Sequence, residues 1–241
     1  MTTAPATSNL ATTSVSFLAY LDEWYASLPS LSLAEVIGGN PENVALFSTD
    51  MINGFCKHGP LASERVGALT TLVADIFQRA YVMGIRQMLA AQDTHDPNTE
   101  EFQTYPPHCV RGTDESETVD ELKQLPFFEH ITIIEKNALS PFFGTNLEAW
   151  VTERLAIETY IVVGNCSDLC VYSMAMELRM HANALNLHRR VIVPANAVDT
   201  FDTPLETARQ LGIKAHDADL HHVLFLHHMA MNGVEVVRDL V

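Results

Sequence analysis

The sequence predicts an α/β protein built on a doubly wound, mainly parallel sheet. Three observations predict it. Short apolar runs of strand length alternate with helix-like segments after Pro41. Those runs read as buried strands, the arrangement of βαβ units packed in layers. The 241 residues, 47% of them hydrophobic, suffice to bury a sizeable core in one domain.

The elements follow in order. Residues 1 to about 14 are rich in Thr, Ser and Ala and are expected to be disordered. Val15 to Leu28 has apolar residues at helical spacing, which suits a packing or dimer-contact helix. The regular pattern then divides the chain into an N-terminal extension, residues 1–42, and one domain, residues 43–241. Val44 to Ser48 reads as a strand, Leu61 to Arg79 as a helix and Gly84 to Ala91 as a strand. A loop rich in Pro, Thr and acids runs to about Ser116. Ile131 to Ile134 is a strand. Thr145 to Leu155 is a helix, with Thr145 and Glu148 spaced as a capping box. Tyr160 to Val163 is a strand, Asp168 to Leu185 a helix and Val191 to Val193 a strand. Pro204 to Leu211 and Ala218 to Met231 are helices, and Val234 to Val237 is the last strand.

Composition narrows the function. With 14 basic against 30 acidic residues, the net charge of −16 leaves no basic footprint for nucleic acid or an anionic membrane surface. No apolar run reaches the length of a membrane span. The first residues lack the features of a secretory signal or a transit peptide. Four cysteines, Cys56, Cys109, Cys166 and Cys170, are too few for a disulfide framework. A cytoplasmic location with reduced thiols is expected.

Chemistry collects where the strands end. Asp50 follows the first strand, Asp93 and His95 the second, Lys136 the third and Cys166 with Cys170 the fourth. In open parallel sheets, ligands bind outside the carboxyl ends of the strands. The two cysteines lack the second Cys/His pair of a zinc clip, and C-x-x-x-C is not the usual redox spacing. Cys170 falls in the first turn of a helix with Lys136 on the same rim, a setting that lowers a thiol pKa and suits a nucleophile. The plain alternative is two small buried hydrophobes. Asp93, His95 and His108, with Glu101 nearby, offer mixed oxygen and nitrogen ligands that suit Zn, Mn or Fe.

These stretches resemble the isochorismatase-like cysteine hydrolases and, within them, the nicotinamidases. DMINGF, QDTHDP with TYPPHCVRGTDES, EKNALSPFFGTNL and GNCSDLCV carry the likeness, which extends over roughly residues 43 to 240. It implies a Rossmann-like three-layer α/β/α fold. It also implies a triad of Cys170, Asp50 and Lys136, and an oxyanion hole from the backbone N–H groups of Cys166 and Cys170, beside a cis peptide between Asn165 and Cys166. Phe55 and Tyr105 match positions that flank the substrate ring. Asp93, His95 and His108, with Glu101, would hold one divalent metal, zinc before manganese or iron. The activity implied is hydrolysis of nicotinamide to nicotinate and ammonia through a cysteine thioester, in NAD salvage, by a homo-oligomer. Many relatives carry Gln and Asp where this chain has Ile52 and Gly54; plant-type nicotinamidases share the NGF ending.

Two other functions compete: hydrolysis of another small amide of carbamoyl or ureido type, and a non-catalytic binding protein on the same fold. Phe142 and Phe143 are candidates for the pocket wall and, equally, for the core. His221, His222, His227 and His228 lack the H-E-x-x-H pattern and read as solvated or core histidines.

Overall fold

The computed structural model describes residues 9–241. The disorder expected at the N-terminus lies partly outside the described residues. Within them it is corrected: Leu10–Thr13 forms a helical turn, α1. Thr12 and Thr13 close that turn with main-chain and hydroxyl hydrogen bonds to the Asn9 carbonyl, all at 3.0 Å.

Strands β1 (Val44–Thr49), β2 (Gln87–Asp93), β3 (Thr132–Lys136), β4 (Thr159–Asn165), β5 (Arg190–Pro194), β6 (Val198–Asp199) and β7 (Glu235–Val237) form one sheet. Its order is β3-β2-β1-β4-β5-β7, with β6 paired to β4, and every pairing is parallel. The connecting helices are α2 (Val15–Ala26), α3 (Leu33–Ile37), α4 (Asn53–Cys56), α5 (Glu64–Gly67), α6 (Thr70–Val82), α7 (Asp120–Lys123), α8 (Leu147–Glu153), α9 (Cys170–Ala184), α10 (Leu205–Leu211) and α11 (Ala218–Met231). Among the described residues no helix is long and apolar enough to cross a membrane.

Strand periodicity sorts the core into two layers. Leu46, Ile161 and Val163 face one layer with Val73, Ile76, Phe77 and Ala80 of α6. Phe47, Tyr160 and Val162 face the other with Trp150 of α8, Met174 of α9 and Leu226 of α11. Both faces are therefore covered, which explains why the central strands read as unbroken apolar runs. Helix α2 lies outside this frame against α11, where Phe17, Tyr20 and Trp24 set their rings around His227 at centroid distances of 5.9, 5.5 and 5.0 Å.

Several features differ from the sequence expectation. The helix expected over Leu61 to Arg79 is two helices, α5 and α6. Gly67 marks the turn between them: a Cβ there would stand 2.5 Å from the Cys56 carbonyl oxygen. The second strand starts at Gln87 rather than Gly84, because Gly84 turns the chain at φ +99°. The Thr145–Glu148 capping box does not form. Asn146 is the N-cap of α8, and Thr145 instead accepts from Leu147 N–H at 3.0 Å and donates to the Pro141 carbonyl. Helix α9 starts at Cys170, two residues later than expected.

Candidate active site

The strand order reverses between β1 and β4, so the loops leaving these two strands diverge and open a crevice at their carboxyl ends. Asp50 leaves β1 in the left-handed region at φ +54°. Its N–H donates to the Ala91 carbonyl at 2.8 Å, and its Oδ1 accepts from Asp93 N–H at 2.7 Å. Asp93 ends β2 and Lys136 ends β3, and the two are paired in register. On the other side Asn165 ends β4, and its Nδ2 donates to the Asp50 carbonyl at 2.6 Å. The Asn165–Cys166 peptide is cis.

These anchors bring the expected triad together. Lys136 Nζ lies 3.0 Å from Asp50 Oδ2, 2.5 Å from Asp93 Oδ1 and 3.5 Å from Cys170 Sγ. None of the four side chains is more than 4% exposed. Burial and the Asp93 charge push Asp50 up to about 6, against the pull of Lys136. Asp93 is held below the usual carboxylate range, since Lys136 and His95 outweigh its burial. Lys136 stays firmly charged: burial opposes the charge, but Asp50 and Asp93 overcome it.

One expectation is reversed. The Cys170 thiol is pushed well above its ordinary range by burial and by Asp50, despite Lys136 and the helix N-terminus. A thiol held in this way would need a base to act as a nucleophile. The backbone N–H groups of Cys166 and Cys170 donate no backbone hydrogen bond among the described residues.

The metal-ligand candidates also converge. Ligand atoms of Asp93, His95 and His108 lie within 4.8 Å of one another. Both ring nitrogens of His95 are buried without a hydrogen-bond partner. His108 Nδ1 lies 2.8 Å from the Pro106 carbonyl, which only accepts, so Nε2 is left free to ligate. Two orphaned imidazole nitrogens beside a carboxylate fit a divalent metal. Glu101 stands outside this trio, 3.9 Å from His95 Nε2, with its carboxyl raised by burial and then by Asp93.

A cavity of about 1270 Å³ opens over this floor, with Phe55, Tyr105, His108 and Cys170 among its lining. That exceeds the roughly 300–1,000 Å³ of an ordinary ligand cleft, and Asp50, Asp93, His108 and Cys170 line only part of it. Phe55 and Tyr105 approach the His108 ring at centroid distances of 5.6 and 6.2 Å. Phe142 and Phe143 are not part of the wall. Phe142 packs against the α8/α9 layer and Phe143 is 72% exposed. Sequence reasoning missed Arg65, Phe201 and His216, which also line the cavity from segments far apart in the chain.

A parallel α/β sheet with a cysteine, an aspartate and a lysine on its switch-point rim defines a class of hydrolase-like α/β proteins. The isochorismatase domain matches residues 44–235, and the chain belongs to that family. Nicotinamidase 1 of Arabidopsis thaliana is 31% identical over 238 residues, covering 90% of this chain and 94% of that protein. The N-carbamoylsarcosine amidase of Thermoplasma acidophilum superposes with a TM-score of 0.61 at 26% identity, covering 81% of this chain and 96% of that one. The pyrazinamidase of Pyrococcus horikoshii, solved in complex with zinc, shares the fold at a TM-score of 0.63 and 23% identity, covering 81% of this chain and 99% of that one.

Proposed function

We propose that this protein is an amidohydrolase that converts nicotinamide and water to nicotinate and ammonia through a thioester on Cys170. The observation that carries the reading is Lys136, whose Nζ touches Asp50, Asp93 and Cys170 at once. The resemblance to the Arabidopsis nicotinamidase over nine-tenths of the chain supports the substrate.

In this reading Asp50 is the general base. It takes the thiol proton as Cys170 Sγ attacks the carboxamide carbon. The N–H groups of Cys166 and Cys170 hold the oxyanion of the tetrahedral intermediate. Asp50 then returns the proton to the nitrogen, the C–N bond breaks and ammonia leaves. Water attacks the thioester, giving its proton to Asp50. The Cys170–acyl bond breaks, nicotinate is released and the thiol is re-formed with the proton from Asp50. Lys136 stays charged throughout and fixes the Asp50 carboxylate toward the sulfur. Phe55 and Tyr105 flank the ring.

Asp93, His95 and His108 would hold one divalent metal, with Glu101 as a more distant fourth group. Their donor set suits zinc and accommodates manganese or iron. Such an ion supplies a coordination point for the pyridine nitrogen.

We further propose that residues 43–241 carry the chemistry and residues 1–42 are an extension, which the family match at 44–235 supports. A cytoplasmic homo-oligomer acting in NAD salvage completes the reading. The apolar side chains that α2 leaves exposed, Phe17 and Leu18, support the assembly.

A second substrate class, carbamoyl or ureido amides, is favoured by the likeness to N-carbamoylsarcosine amidase and by the size of the cavity. Ammonia release from nicotinamide, measured before and after chelation and metal re-addition, tests the first reading. Metal-dependent release is expected. Faster turnover of a pyridine-free ureido substrate would replace nicotinamide with that class.

A further inference from the structure

A second Asp/His/His set stands beside the cavity, made of residues other than those next to the triad. Asp168 comes from the loop between β4 and α9, His216 from the segment after α10, and His221 from the first turn of α11. Ligand atoms of the three lie within 4.8 Å of one another. Both histidines line the cavity.

Their hydrogen bonds favour ligation. His216 Nδ1 lies 2.8 Å from the Phe201 carbonyl, and His221 Nδ1 lies 2.7 Å from the Asp217 carbonyl. A carbonyl only accepts, so each Nδ1 carries the proton; Nε2 of His221 is then the ring nitrogen open to a ligand, and Nε2 of His216 faces Asp168. Anchoring the far ring nitrogen on a backbone carbonyl is how metal-binding histidines are oriented. His216 Nε2 meets Asp168 Oδ2 at 2.7 Å.

Asp168 supplies the independent sign. It is 6% exposed, and its Oδ1 is buried without a hydrogen-bond partner. The carboxylate therefore has one oxygen on His216 and one without a partner among the described residues. The His216 ring is sandwiched between Phe201, at a centroid distance of 4.1 Å, and His221, at 4.0 Å.

We propose that Asp168, His216 and His221 form a second site for a borderline divalent transition ion, for which zinc is the probe. One carboxylate and two imidazoles make a donor set of the zinc type. Binding displaces the proton that His216 Nε2 shares with Asp168, and that proton leaves to solvent. In the structure the His216 and His221 rings stack at 4.0 Å with an interplanar angle of 21°, so ligation of one ion requires them to turn toward it.

The ion has a mechanical consequence. Asp168 belongs to the loop that carries Cys166 and Cys170. His216 and His221 belong to the segment from Phe201 onward that roofs the cavity, closed at its base by the Thr203–His216 bridge. One ion therefore ties the roof to the nucleophile loop.

The proposal uses none of the triad residues and stands whether or not nicotinamide is the substrate. Its test is metal stoichiometry. The full chain is stripped by chelation, equilibrated with zinc and desalted. Zinc per chain is then counted by mass spectrometry, and affinity is measured by titration calorimetry. His221 is half-buried at the cavity edge, so a melting curve of His221→Gln checks that the fold is kept. The expected result is a zinc that His221→Gln loses, with affinity down at least about tenfold, and that His95→Gln/His108→Gln retains. Asp168→Asn should lose the same ion. If His221→Gln holds as much zinc as the parent chain, with the same affinity, Asp168 and His216 are an ion pair only and the proposal is overturned.

Discussion

At the carboxyl ends of the strands, Lys136 is buried with three partners around its Nζ: Asp93, Asp50 and Cys170. At the amino ends, Arg189 lies just ahead of β5, and neither of its Nη atoms has a hydrogen-bond partner. The two residues are 1% and 6% exposed. Arg189 stands over the Tyr160 ring at 5.5 Å, and that phenol is also buried without a partner. Burial pushes Tyr160 up to about 12, with Arg189 pulling the other way. Both cations cost desolvation energy. At one rim, acceptors that a reaction can use offset that cost. At the other, only an aromatic face does. Buried charge in this fold is thus organised where chemistry occurs and merely tolerated where it does not.

Several substitutions would break or sharpen that contrast. Cys170→Ala should lower kcat/KM for nicotinamide by at least roughly 10⁴-fold while the denaturation midpoint holds, read as ammonia release beside a melting curve. Retained turnover would remove the cysteine from the chemistry. Lys136→Met should lose activity and about 3–5 kcal/mol of stability, because it leaves the Asp50 and Asp93 carboxylates facing each other unpaired. Urea denaturation measures it, and an unchanged midpoint would mean that Lys136 does not hold the rim together. Arg189→Leu should act in the opposite sense, raising stability by about 1 kcal/mol or more with turnover unaltered. A loss of similar size would show that the amino rim needs its guanidinium.

His222 refines the comparison by the smallest effect. Its ring is held between Tyr25 Oη at 3.3 Å and Ser167 Oγ at 3.1 Å. Burial keeps its pKa below the ordinary histidine value, against the attraction of Asp199. The unfolded chain therefore binds a proton that the folded chain resists. Stability should fall as pH drops through about 6.5 and be flat above it. His222→Gln should flatten that acid slope in pH-resolved melting curves. An unchanged slope would assign it to other groups.

The rim was legible in the sequence for a local reason. Each of its polar residues directly follows an apolar strand, so strand recognition and site recognition were one step. Asp93, placed two residues past the expected strand, closes β2 in register with Lys136. What escaped was set by contacts between distant segments. Asp168 and His216 are 48 residues apart and meet only because the α10 segment folds back over the nucleophile loop. The break between α5 and α6 depends on the Cys56 carbonyl, which no helical periodicity reports. The two-residue strand β6 is shorter than any apolar pattern can resolve. The elevated Cys170 thiol also escaped, because its burial and the position of Asp50 decide it, not the helix terminus that spacing reveals.

The central β1–β4 pairing joins Val44 to Thr159 and Thr49 to Gly164 across the whole βαβ half that lies between them. A contact so distant along the chain must close a long loop before any packing repays it. Asp50 and Cys170 remain apart until that closure. Recovery of turnover during refolding is therefore a clock for one event, the docking of the chain's two halves, and no half-folded intermediate can register on it.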